Sequence, residues 1–181
     1  MKKNTITKKT YEEIYKRLDQ VSPITRDCGT LCNAVCCGTA ISDDDEDFDM
    51  GIYLLPGEES MFTEADKDWL FWNVQDAMDF DFPESWHGDV HFIRCKTPPV
   101  CPREKRPIQC RTFPLRPYLD SNDKLSMVLQ NTEGYGYTCP LIDGEIPLGE
   151  DFVNATFHAW AQLIKEPLIF DLVKFDSMEC L

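Results

Sequence analysis

Cys28-Gly29-Thr30-Leu31-Cys32-Asn33-Ala34-Val35-Cys36-Cys37-Gly38 packs four cysteines into ten residues of a 181-residue chain. Cys28, Cys32 and Cys36 stand four apart. On a helix, positions i and i+4 share a face, so thiolates at that spacing converge on one side. In a loop the same spacing wraps around an ion. Cys36 and Cys37 are adjacent, and neighbouring side chains point apart in either regular structure. A single tetrahedral ion would not readily use both. The pair therefore implies two metal centres, a bridged centre, or one ligand beside a structural or reactive thiol. Four cysteines in so short a span point to ligation rather than to inert packing as small hydrophobes.

Working outward, Cys95, Cys101 and Cys110 form a second group, with Cys139 further along. Cys180, near the end, reads as an inert buried thiol. Of nine cysteines eight then remain, enough for two fully thiolate-coordinated sites, since zinc and iron–sulfur sites commonly take four. Neither group shows the Cys-x2-Cys pairs of zinc ribbons. Cys101-Pro102 and Cys139-Pro140 resemble the Cys-Pro step of bacterial ferredoxins. Iron, as an iron–sulfur or related cluster, is the favoured metal and zinc the alternative. Between Cys95 and Tyr118 lie Pro98, Pro99, Pro102, Pro107, Pro114 and Pro117, which exclude long helices and most paired strands. Something other than backbone pairing must order this segment, and a metal would do so. Among other ligand types, His91 is the best-placed histidine and Glu58 the best carboxylate. His158, between Phe157 and Trp160, reads as a core residue.

The remaining composition narrows the setting. With 32 acidic against 18 basic residues the formal net charge is −14, a field that disfavours nucleic acid and anionic membrane surfaces. No signal peptide follows Met1, and no segment approaches the roughly 20 apolar residues of a membrane helix. A reducing cytoplasm is the expected location, and there clustered cysteines serve as metal ligands or catalytic thiols more often than as disulfides.

The expected fold is α+β, a small irregular metal-stabilised domain with about four helices and a small sheet, spanning residues 1–181 as a single domain. Residues 1–8 read as a frayed start. Tyr11, Ile14, Tyr15 and Leu18 form the stripe of a first helix. The acidic run 43–49 reads as a solvated loop; its carboxylate density admits calcium, but EF-hand spacing is absent. Gly51 to Glu59 reads as a short strand entering a Pro-Gly turn. Thr63 caps a second helix whose apolar positions are Trp69, Leu70, Trp72, Val74, Ala77 and Met78. Strands follow at 89–94 and 124–130, a glycine-rich loop at 134–137, and C-terminal helices near 148–164 and 167–175, broken at Pro167.

Three strings together, Cys28 to Cys37 ending in Cys-Cys, Gly51-Ile-Tyr-Leu-Leu-Pro-Gly-Glu-Glu59, and Arg106-Pro-Ile-Gln-Cys110-Arg-Thr-Phe-Pro114, resemble the YkgJ-type cysteine-cluster proteins, described as zinc- or iron-chelating domains. The resemblance covers roughly residues 28–118. It implies a metal site built from Cys28, Cys32, Cys36, Cys37, Cys95, Cys101 and Cys110; Cys139 is added from this chain alone. The family more often opens Cys-x2-Cys, where this chain has x3 spacings. Arg106 and Arg111 are candidates to stand beside the cofactor, donating to the sulfurs and shifting the site's potential, or else to cap nearby carboxylates. Three functions stay open: an iron-holding protein with a redox or metal-handling role, a structural zinc module for protein interaction, and an enzyme whose metal cluster supports a modification reaction. The cysteine triad lacks radical-SAM spacing, and no Ser-His-Asp string, phosphate loop or dinucleotide fingerprint is present.

Overall fold

The computed structural model describes residues 6–38, 51–96, 101–133 and 137–178. The acidic run 43–49, Pro98, Pro99, most of the glycine-rich loop and Cys180 lie outside the described residues. The first helix, α1 (Lys8–Leu18), starts earlier than its apolar stripe because the Thr7 hydroxyl accepts from the Thr10 N–H at 3.3 Å, and side-chain caps of this kind stabilise by about 1 kcal/mol. Ile6 packs against the core, so the frayed start expected for 1–8 is corrected for its last residues. Tyr11, Ile14, Tyr15 and Leu18 are buried, as the spacing predicts.

Two short helices, α2 (Gly29–Cys32) and α3 (Val35–Gly38), carry the first cysteines. An antiparallel sheet follows, in the order β1 (Ile52–Tyr53), β3 (Asp89–Cys95), β2 (Leu70–Asp76), with Leu70 opposite Cys95 and Ile52 opposite Ile93. The second helix expected from Thr63 is corrected here. Thr63 and Asp66 do form a reciprocal capping box, but it starts only a 3-10 turn, Glu64–Asp68. The next residues, rich in aromatic and β-branched types that favour strands, pair with β3 along their whole length. Val74 and Met78, expected in the core, are exposed as a result.

The proline-rich segment holds more regular structure than its composition suggests. It contains α4 (Ile108–Thr112) and β4 (Leu115–Leu119), which pairs with β5 (Leu125–Leu129), Pro117 opposite Met127. Both strands of a two-stranded ladder are edges, where a proline's missing N–H is tolerated. The chain ends in α5 (Glu150–Leu163) and α6 (Pro167–Met178); Pro167 opens α6, a position where its missing donor costs nothing. Among the described residues there are thus six α-helices and two antiparallel sheets, an α+β arrangement with more, shorter helices than expected. No described helix is long and apolar enough to cross a membrane.

One apolar cluster joins α1, α4, α5, α6 and β4 through Tyr11, Ile14, Leu18, Ile108, Leu163 and Val173, among others. A second, under the three-stranded sheet, is built from Leu54, Phe62, Leu70 and Ile93 with Cys95 at its margin. Just before β1 a glycine is required sterically: a Cβ on Gly51 would stand 2.0 Å from the Phe92 ring.

Candidate metal centre

The first cysteine group is shaped by a reversal rather than by one helix. Asn33 (φ 56°) and Ala34 (φ 51°) both adopt the left-handed conformation, which costs a non-glycine residue roughly 1–2 kcal/mol. The Ala34 N–H bonds the Gly29 carbonyl at 2.9 Å, and a Cβ on Gly29 would lie 3.2 Å from that of Ala34. The left-handed pair therefore ends α2, and α3 begins in a new direction instead of extending it. Of the two arrangements the spacing allowed, a single helical face is not the one formed, since two four-residue helices carry the cysteines. Nor do Cys36 and Cys37 diverge: their sulfurs lie 4.0 Å apart. Thiolates around a tetrahedral zinc, each at about 2.3 Å, stand roughly 3.8 Å from one another, so adjacency does not keep these two apart.

The second group is delivered by the sheet and by α4. Cys95 ends β3. Cys101 and Pro102 lead through a 3-10 turn, Arg103–Lys105, into Arg106, Pro107 and α4, which carries Cys110. Several polar contacts hold this segment. Arg103 donates to the Val21 carbonyl at 2.9 Å, Lys105 to Asp66 at 3.2 Å, and the Gln109 amide to the Tyr53 carbonyl at 2.7 Å. Glu58, fully buried, accepts from the Tyr15 hydroxyl and the Ile108 N–H, both at 2.7 Å, and from the Leu55 N–H at 3.1 Å. Burial raises its pKa even against those three donors. Both its oxygens are thus engaged, Oε1 tying the first residue of α4 to Tyr15 of α1 and Oε2 holding the Leu55 turn.

All eight cysteines considered as ligands are free thiols, and they influence one another across the chain. The Cys28 thiol is pushed up by burial and then by the charges of Asp27, Cys139 and Cys32. Cys36 and Cys37 share a hydrogen bond that either sulfur could donate, which sets their pKa values apart, Cys36 raised and Cys37 lowered to about 7. Cys95 and Cys101 likewise share one, with Cys95 raised and Cys101 lowered to about 6, Arg106 assisting the latter. Cys110 keeps solvent-accessible surface, yet the dense protein around it and the charges of Cys37 and Cys101 push its thiol up to about 12. In each pair one sulfur ionises more readily than an ordinary thiol, and thiolates are the species that bind metals.

The two arginines separate. The Arg106 guanidinium donates from Nε to the Cys101 sulfur at 3.1 Å. Burial disfavours its charge, but that bond and the charges of Cys101, Asp27 and Cys37 outweigh it and raise its pKa. Arg111 turns the other way. It pairs with Asp19, donates to the Arg106 carbonyl and stacks 4.1 Å from the Tyr15 ring centre. Its role is the carboxylate-capping one.

The histidines lie elsewhere. His91 accepts from the Trp72 indole N–H at 3.3 Å, and His158 is exposed against Phe157, which corrects its expected place in the core. Asp27, missed in the sequence, bears on Cys28, Cys37 and Cys101; its position next to Cys28 was the available signal.

Among the described residues no group of three or more His, Cys, Asp or Glu side chains is positioned to hold a metal ion. The chemistry of the donor set fits a thiolate-bound metal, with free sulfurs, lowered pKa values at two of them and a cation on a third side. The sulfurs as described do not themselves close a ligand shell. Comparison of the chain with protein-family models, with curated proteins and with solved structures finds no match. The functional reading rests on this chain's own residues.

Proposed function

We propose that this chain is a cysteine-cluster protein that holds iron, as an iron–sulfur or related cluster, through cysteine thiolates, in a redox or metal-handling role. One observation carries the reading: among eight free thiols drawn from residues 28 to 139, the Cys36 and Cys37 sulfurs lie 4.0 Å apart and the Arg106 guanidinium donates to the Cys101 sulfur at 3.1 Å. Sulfur in that number is a soft donor set suited to iron–sulfur clusters and zinc. The Cys-Pro steps and the similarity to YkgJ-type motifs also support it. A bound iron cluster would supply one-electron chemistry at a potential set by hydrogen bonds to its sulfurs. Cys28, Cys32, Cys36, Cys37, Cys95, Cys101, Cys110 and Cys139 are the ligand candidates. Arg106 is the residue suited to donate to a sulfur and offset the site's negative charge.

A structural zinc module is the second reading, favoured by the 4.0 Å separation of the Cys36 and Cys37 sulfurs, close to the edge of a zinc–thiolate tetrahedron. Anaerobic purification of the full chain, followed by a visible spectrum and metal analysis on one sample, separates the two. Iron with acid-labile sulfide and broad absorption near roughly 400 nm is expected, the region of thiolate-to-iron charge transfer. Colourless protein with about one or two zinc ions per chain overturns the iron reading in favour of the zinc module. Uptake of neither metal defeats both.

A further inference from the structure

Strand β2 (Leu70–Asp76) lies at one side of the three-stranded sheet and, among the described residues, pairs with β3 alone. Three bonds decide which of its backbone groups β3 uses. The Lys96 N–H bonds the Trp69 carbonyl and the Ala77 N–H bonds the Gly88 carbonyl, both at 2.9 Å. On the other side of β3, the Leu54 N–H bonds the His91 carbonyl at 2.8 Å. In an antiparallel ladder hydrogen-bonded pairs alternate with non-bonded ones. With Leu70 opposite Cys95 and Asp76 opposite Asp89, it is Phe71, Asn73 and Gln75 that bond to β3. Leu70, Trp72, Val74 and Asp76 aim their N–H and C=O groups away from the sheet.

Such an edge is a template for another strand unless a lysine, a proline, a bulge or a covering segment blunts it. β2 contains no lysine, proline or glycine, and its seven residues run opposite β3 without a bulge. Phe71 and Val74, on its two faces, are both exposed. The two ends of the strand differ in charge. At the Leu70 end Arg94 and Lys96 stand over the Phe71 ring, with Lys67 paired to Glu64 and Asp68 close by in the chain. At the other end Asp76, Asp79 and Asp89 are all exposed, and residues 76–90 include no lysine or arginine.

We infer that this edge binds a second copy of the chain, β2 pairing antiparallel with β2 of the copy about a two-fold axis at Asn73, so that two three-stranded sheets become one. A two-fold contact has to be complementary to itself. A strand positive at one end and negative at the other meets that condition when antiparallel, because the Arg94 and Lys96 end of each copy then meets the Asp76 and Asp79 end of the other. The outward backbone groups fix the register. Leu70, Trp72, Val74 and Asp76 must meet one another, and centring on Asn73 pairs the whole strand. Trp72 then stands opposite Val74 of the copy, an aromatic against a β-branched residue, which is a favourable cross-strand pair. Each chain carries a net charge of −14, which opposes self-association in general and leaves the charged ends to direct it. The inference uses none of the cysteines and is independent of the metal reading.

Sedimentation of the full chain in reducing buffer, over a range of concentrations, is the test, and a monomer–dimer equilibrium is expected. Asp76→Lys and Lys96→Glu should each weaken it several-fold, and the two together should restore it. Asp76→Lys is the sharper of the pair, since it lowers the net negative charge and general repulsion would then predict a tighter dimer. Asp76 also accepts from the Met78 N–H, so a second measurement uses the wild type alone. In residue-resolved amide exchange, Leu70, Trp72, Val74 and Asp76 should exchange fast in dilute protein and several-fold more slowly as the dimer forms. Phe71, Asn73 and Gln75 should be slow at every concentration. A chain that stays monomeric overturns the inference, and so does a dimer that Asp76→Lys tightens. A dimer that leaves the four outward amides unprotected places the contact elsewhere and overturns it too.

Discussion

Around α1, α5 and α6, buried side chains such as Tyr11, Ile14, Trp160, Leu163 and Val173 pack directly on one another. Among the described side chains of residues 28–37, Ala34 is the only buried hydrophobic one, and Asn33 and Ala34 hold a left-handed backbone. Apolar burial at about 1.5–3 kcal/mol per large side chain accounts for the first region by itself. The second is ordered by short-range hydrogen bonds, a reversal and sulfur contacts, which supply far less. A segment with so little to bury, kept in an unfavourable conformation, is where one expects function rather than stability to have set the residues.

Four substitutions sharpen or break this contrast. The largest effect is expected in the apolar region. Leu163→Ala, at a fully buried position, should cost about 2–5 kcal/mol in urea unfolding, by the same amount whether or not zinc is added. A cost that zinc removes would break the contrast, because the thiol region would then be supporting the core.

Glu58 lies at the boundary between the two. Glu58→Gln keeps one acceptor oxygen but sets an amide against a donor, and should cost about 1–3 kcal/mol. Its pH dependence has a definite sign. Burial raises the folded pKa of Glu58 above its ordinary value, so its contribution is fully present below that ordinary value and is lost as pH rises through the raised one. The gap between wild type and Glu58→Gln should therefore be wider near about pH 4 than at neutral pH. A gap that widens towards neutral pH would show the carboxylate to be net stabilised by its donors.

The smallest effect on stability is expected at Arg106. Removing the guanidinium from the Cys101 sulfur with Arg106→Gln should slow alkylation of Cys101 in metal-free protein near neutral pH several-fold, because fewer thiolates form, while shifting the unfolding midpoint less than Glu58→Gln does. Arg111→Gln, which leaves Asp19 without its partner, should do the opposite. Equal behaviour of the two arginines would remove the distinction drawn between them.

Much of the fold could be read from residue patterns, but unevenly. The stripe in α1 and the two C-terminal helices stood out because an amphipathic period is a local property. The segment after Thr63 misled because its capping box is real and nonetheless opens a 3-10 turn; pairing with β3 over seven positions then decided for a strand. Pro117 hid β4, since a proline argues against a strand unless that strand is an edge. At the candidate site, the cysteines stood out by their spacing, and Arg106 through the string that resembles the YkgJ-type proteins. Glu58 was noticed as a candidate ligand and turned out to brace α4 through Tyr15, Leu55 and Ile108.

By itself the sequence determined that the chain is rich in closely spaced cysteines, acidic overall and built from short helices and strands, because composition and local periodicity are carried by neighbouring residues. Tertiary structure alone decided that Glu58 joins Tyr15 of α1 to Ile108 at the start of α4. It also decided that Arg106 faces the sulfurs while Arg111 faces Asp19. These are encounters between residues far apart in the chain, set by the packing of α4, and no local pattern records them.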